Sequence, residues 1–155
     1  PNVIPTAAIT SPTAGTIFTE PAAVAITATA ADSDGSIKRV EFYNGAAKIS
    51  EDTTAPYTAS LTGLTAGTYS LTAKAIDNED ASGTSPAISI TVKKPNVAPT
   101  AAITSPSAGA IFTEPATVAI TATAADSDGS ITKVEFYAGT SKIGEGALKP
   151  GTTNQ

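Results

Sequence analysis

The stretch Ala-Ala-Asp-Ser-Asp-Gly-Ser-Ile occurs twice, at residues 30–37 and 124–131. Two carboxylates one residue apart, followed by glycine, offer hard oxygen ligands. Calcium takes roughly six to eight oxygens from carboxylates, amides and carbonyls. A second acidic stretch, Asp77-Asn78-Glu79-Asp80, lies downstream. Asp32, Asp34 and Asp77 are therefore candidate calcium ligands, with Asp126 and Asp128 as counterparts in the second copy. The same residues also make a plain turn. Asp and Ser hydrogen-bond to nearby backbone, and glycine supplies positive φ. The spaced ligands and closing Glu of an EF-hand are missing. On residues alone, both readings stand.

Other chemistry is sparse. Histidine, cysteine, methionine and tryptophan are absent. That removes the usual general base near neutral pH, thiolate nucleophiles and Cys/His zinc ligands. No G-x-S-x-G elbow is present either, so the chain reads as non-enzymatic. Tyr43 and Tyr137 sit beside Glu41 and Glu135 on the strand face predicted to point outward. Such a Tyr either stacks on a sugar ring or simply covers the sheet. Lys38, Glu41 and Lys74 read as solvated face residues. Asp52-Thr53-Thr54 resembles an O-glycosylation acceptor, without a counterpart at Glu145-Gly146-Ala147.

Formal net charge is −5 with 15% charged residues and no Lys/Arg patch, which argues against nucleic acid as a partner. No apolar run reaches the roughly 18 residues of a membrane span. The chain begins at Pro1 rather than Met and reads as a mature or excised fragment. Ala, Thr, Ser and Gly dominate, as in secreted β-rich modules, so the expected location is extracellular or on the cell surface.

The elements that must position these residues repeat. Residues 1–53 match residues 95–147 at 41 of 53 positions, the signature of a tandem array. Within the first copy, Val24–Ala30 alternates apolar and small polar residues, the period of a half-buried strand. Ile37–Tyr43 follows, with Val40 and Phe42 on one face. Asn44-Gly45 predicts the hairpin turn to Ala47–Ile49. Ala7–Thr10, Tyr57–Leu61, Thr68–Ile76 and Ala87–Val92 complete about seven strands, and no segment has a helical period. This predicts an all-β antiparallel sandwich. In such a sandwich the two acidic loops share one end, so Asp32, Asp34 and Asp77 are expected to converge.

Leu64-Thr65-Ala66-Gly67-Thr68-Tyr69 looks like the tyrosine corner of Greek-key sandwiches. The wider pattern, from Ile9-Thr10-Ser11-Pro12 through Asp32-Ser33-Asp34-Gly35 to Tyr69 and Asp77-Asn78, resembles the bacterial immunoglobulin-like domains strung along secreted polysaccharide-degrading enzymes and surface adhesins. The resemblance implies an immunoglobulin-like Greek-key sandwich. Known members act mostly as spacers or stalks, and some bind calcium or glycans.

The expected organisation is a complete repeat over residues 1–94, the first half of a second over 95–147, and a tail over 148–155. Lys93–Pro99 reads as a linker stiffened by two prolines. The missing half would leave Val118, Ile120, Val134 and Phe136 uncovered. The expected function is a non-catalytic, extracellular spacer of a larger protein, stiffened by calcium and assembling through strand complementation. A cation at the junction of the repeats, near Asp126, Asp128, Glu20 and the turn around Thr62–Ala66, would add to that stiffness. The partners would be neighbouring repeats or another copy of the chain. The rival reading is an adhesin or carbohydrate-binding module that meets polysaccharide through loops or exposed Tyr.

Overall fold

Apolar residues at alternate positions can bury only one face of an extended chain. The computed structural model describes residues 1–146, and over its first unit these faces pack against each other in two layers. The chain divides into two compact units at Pro95/Asn96.

Unit 1 contains nine strands: β1 (Thr6–Ser11), β2 (Ile17–Thr19), β3 (Ala22–Ala31), β4 (Ile37–Asn44), β5 (Ala47–Asp52), β6 (Tyr57–Leu64), β7 (Gly67–Asp77), β8 (Ser82–Thr84) and β9 (Ile88–Lys93). One sheet has the order β1-β3-β6. The other has the order β2-β9-β7-β4-β5, with β8 added on β7. All pairings are antiparallel except β2 with β9, which is parallel. Ala22, Val24, Ile26 and Ala28 of β3 point inward and meet Val40, Phe42, Leu71, Ala73, Ala75, Ile90 and Val92 of the facing sheet. Small residues at several of these positions suit closely packed layers.

The short strands β2 and β8 escape the periodicity rule because three residues carry no usable alternation. The hairpin turn also differs from expectation. Asn44 is the last residue of β4, paired with Ala47, and the loop is Gly45-Ala46. Gly45 alone takes positive φ, at 57°. The turn thus sits one residue later than Asn44-Gly45 would place it, and the β4–β5 ladder bulges between Phe42 and Tyr43.

The described residues of unit 2 form four strands: β10 (Thr100–Ser105), β11 (Thr121–Ala125), β12 (Val134–Ala138) and β13 (Ser141–Gly146). They make two separate two-stranded sheets, β10-β11 and β12-β13. Their registers copy those of β1-β3 and β4-β5, bulges included. The expected strands Val118–Ala124 and Ile131–Tyr137 are shortened. Residues 118–120 and 131–133 are not strand. In unit 1 the matching residues 24–26 pair with β6 alone, and residues 37–39 with β7 alone. A segment without its partner strand leaves its backbone groups to water, and the strand ends where the pairing ends. The expected tail over 148–155 lies outside the described residues.

Candidate functional site

The first candidate is the acidic end of unit 1. The β3–β4 loop and the β7–β8 loop meet there: Asn78 N–H donates to the Ser36 carbonyl at 3.0 Å, and Ser36 N–H to Asn78 Oδ1 at 2.8 Å. Asp77 closes β7 and is fully buried. Its Oδ1 accepts the amides of Glu79 and Ala81 at 2.8 and 2.9 Å, and its Oδ2 accepts Asn2 Nδ2 at 2.9 Å. Burial works to raise the Asp77 carboxyl, but these donors outweigh it and hold it below the usual carboxylate range. Asp34 Oδ2 accepts Val3 N–H at 3.0 Å. Asp32 is half-buried, and its Oδ2 has no partner. Burial pushes the Asp32 carboxyl up, assisted by the charges of Asp34 and Asp77.

All three sequence candidates thus accept backbone or amide donors, Asp32 through Oδ1 from the Asp34 amide at 3.5 Å. Asp32 Oδ2 is the buried carboxylate oxygen left over among the described residues, and it is the observation that would suit a cation. Among the described residues no group of three or more Asp or Glu is arranged to hold a metal ion. In unit 2, Asp126 is buried and its Oδ1 accepts the amides of Asp128 and Gly129 at 3.2 and 3.0 Å. Asp128 accepts Val97 N–H through Oδ2 at 3.0 Å. Glycine in this loop has a different role from the one expected. Gly35 is not among the positive-φ residues; instead a Cβ there would collide with Asn78 Oδ1 and Asp32 Oδ2. The glycine is needed for close approach.

The second candidate is the outer face of β4 and β5. Glu41 is expected to be solvated, yet it is buried. Lys48 Nζ donates to it at 2.9 Å, Tyr43 Oη at 2.7 Å and Arg39 Nε at 3.1 Å. Lys48 first, then Tyr43 and Arg39, hold its carboxyl down at about 2 against burial. The β bulge brings Lys48, rather than Ile49, opposite Tyr43. Lys38 pairs instead with Asp80 at 2.6 Å. Tyr43 is half-buried, with its hydroxyl committed to Glu41, and that hydrogen bond, followed by burial, raises the phenol pKa. Unit 2 repeats the cluster with Lys133, Glu135, Tyr137, Lys142 and Glu145, and Glu135 is likewise held at about 2.

At the opposite end of unit 1, Tyr69 Oη donates to the Thr65 carbonyl at 2.8 Å, as the corner motif predicts. The Glu20 carboxylate accepts Ala66 N–H. Asp52 clamps the β5–β6 connection by accepting the amides of Thr54 and Thr58 at 3.0 and 2.9 Å. These donors lower its pKa. Gly146 stands at the matching place in unit 2.

Sequence reasoning missed Asn2, Val3 and Asn78. The signal for the first two was in view, because Pro-Asn-Val opens both copies. Reading the second occurrence as linker hid it.

Comparison with known proteins completes the picture. A family model described as a bacterial Ig domain matches residues 5–73 and 99–154. Among solved structures, the fibronectin(III)-like modules of Clostridium thermocellum CbhA share 42% identity. That match covers 57% of this chain and 94% of the module, with a TM-score of 0.53. A crystal structure of an engineered protein matches at 18% identity and a TM-score of 0.41, covering 60% of this chain and 21% of that one. No curated protein matches.

Proposed function

The chain belongs to the bacterial Ig domain family, and from that premise we propose that it is an extracellular, non-catalytic spacer within a larger protein. Domains of this kind are generally non-catalytic and are often found in extracellular or surface proteins.

One observation carries the reading. In unit 1 the chain enters beside Asp77, at one end of β7, where Asn2 is held. It leaves beside Gly67, at the other end, where Val92 of β9 is paired. Between them lie eleven residues of β7, or about 33 Å at 3.3 Å per step. A unit threaded from pole to pole advances the chain by its own length, which is what a spacer must do. The carboxylates of Asp34, Asp52, Asp77, Glu20 and Glu41 are engaged by donors of their own unit, Asp32 Oδ2 being the exception among the buried ones.

The test is single-molecule energy transfer between dyes at Pro1→Cys and Lys94→Cys, sites that are unique because the chain lacks cysteine and that leave Asn2 on Asp77. The expected separation is about 3–4 nm, set by the β7 length. High transfer would place both ends at one pole and defeat the reading. Binding to a polysaccharide that is lost in Tyr43→Ala would favour the adhesin or carbohydrate-binding alternative instead.

Unit 2 adds strand complementation to the proposal. Among the described residues its β11 and β12 have no partners equivalent to β6 and β7, and open edges of this kind accept strands. A copy of this chain that lent residues 54–94 would uncover its own first half. Identical copies therefore exchange strands without net gain, and a neighbouring repeat with a spare strand block is the favoured donor. Sedimentation should show little self-association of the chain alone and a 1:1 complex with a polypeptide supplying a free 54–94 block. Tight self-association without donor would overturn this part.

Calcium is a second reading, favoured by Asp32 Oδ2 alone. Asp32 and Asp34 would supply carboxylate oxygens, with backbone carbonyls and water making up the remainder. Calcium titration followed by thermal melting decides it. A saturable rise in Tm that Asp32→Asn abolishes supports the site, and no rise at millimolar calcium removes it.

A further inference from the structure

Two matching segments of the repeat, Asn2–Pro5 and Asn96–Pro99, carry the same hydrogen bond. Val3 N–H donates to Asp34 Oδ2 at 3.0 Å. At the matching place Val97 N–H donates to Asp128, at 3.0 Å to Oδ2 and 3.2 Å to Oδ1. Unit 1 adds two further fastenings. Asn2 Nδ2 donates to the fully buried Asp77 carboxylate at 2.9 Å. Pro5 is buried, and its carbonyl lies so close to Gly83 that any Cβ there would collide with it. Unit 2 has no counterpart of Asp77 or Gly83 among the described residues. Asn96 turns its Nδ2 to the Val97 carbonyl instead, and Pro99 is exposed. The division between the compact units falls at Pro95/Asn96, ahead of this segment.

We infer that Asn-Val-x-Pro is a strap that folds onto the unit following it. The carboxylate of the first acidic loop fastens the strap. Asp77 at the end of β7 and Gly83 in β8 then lock it, once the unit has its last strands. Completion of a unit therefore fixes the chain that leads into it. Lys93 ends β9, so the free tether between two complete units shortens from the seven residues of Lys93–Pro99 to Lys94 and Pro95. The chemistry is simple. A carboxylate acceptor holds a backbone N–H that has no strand partner, and a buried carboxylate orients a side-chain amide donor. The inference rests on these bonds and not on the spacer reading; a strap would operate equally in an array that binds a ligand.

The experiment is ¹⁵N relaxation and amide exchange on the full chain. Val3 should show the order parameter of rigid backbone, about 0.85, and Val97 should lie above about 0.6, the flexible limit. Asn2→Ala should speed exchange at Val3 by roughly five- to tenfold, the loss of one ordinary hydrogen bond, while Val40 and Phe42 stay unchanged. Asp128→Ala should drop Val97 below about 0.6 and leave Val3 as it was. If Asp128→Ala unravels unit 2, Asn2→Ala in the fully packed unit 1 still reads the lock. A Val97 already below that limit in the unaltered chain, or Val3 exchange indifferent to Asn2→Ala, would overturn the strap.

Discussion

Val24 and Val118 stand at the same place in the repeat, between identical neighbours on most sides, yet Val24 is 1% exposed and Val118 39%. Phe18 packs against the core, whereas Phe112 is 50% exposed. Phe42 is fully buried, and Phe136 only half. What separates these pairs is not their own sequence but strands β6, β7 and β9 of unit 1, which have no counterpart among the described residues of unit 2. Local pairing survives their absence, because β10-β11 and β12-β13 keep their registers. Burial does not survive. Hairpins are specified locally, while a core is a property of the closed body.

The sharpest way to break this contrast is to supply what unit 2 lacks. A second copy of residues 54–94 placed after residue 147 should bury Val118, Ile120, Val134 and Phe136. At ~1.5–3 kcal/mol each, that is about 6–12 kcal/mol of burial. Hydrogen exchange should then show protection spreading to residues 118–120 and 131–133. If those amides stay unprotected, the difference lies in the 12 substitutions between the copies.

Single truncations in the unaltered chain should be unequal. Phe42→Ala leaves a void in a closed core and should cost unit 1 about 3–5 kcal/mol in urea denaturation. Phe136→Ala removes a side chain that is only half-buried, and unit 2 should lose under about 1 kcal/mol. Equal costs would mean unit 2 is packed in solution.

Asp77→Ala should cost unit 1 about 1–3 kcal/mol, because it leaves the donors from Glu79, Ala81 and Asn2 unanswered. Asp128→Ala in the open unit should stay within about 0.5 kcal/mol.

The smallest effect is on acid stability. Glu41 is held at about 2 against an ordinary 4.5. A carboxyl depressed on folding contributes stability above its unfolded pKa, and that contribution is lost as pH falls from 4.5 through about 2. Asp52 and Asp77, also depressed, act in the same direction, while the raised Asp32 opposes them. Acid titration of unit 1 stability should therefore flatten in Glu41→Gln. An unchanged slope would show that the cluster is only a surface arrangement.

Much of this fold is legible in the residues. Alternation at Val24–Ala30 and Thr68–Ile76 locates the inward faces, and Thr65 to Tyr69 locates the corner. Three-residue strands are invisible, because β2 and β8 exist only where β9 and β7 offer them an edge. The acidic end is legible in composition but not in role. Asp32, Asp34 and Asp77 are brought to one pole as expected. Whether their oxygens face donors or stand free depends on Asn2 and Val3, which approach from a segment 31 to 75 residues away.

The sequence by itself determined which segments are extended, which faces are apolar and that the unit is repeated, because these follow from side-chain periodicity and identity along the chain. Only the tertiary structure decided that Glu41 is buried, that Asn2 answers Asp77 and that Val118 lies open. Those depend on what residues distant in sequence place against a surface, and burial and hydrogen bonding are settled by neighbours in space.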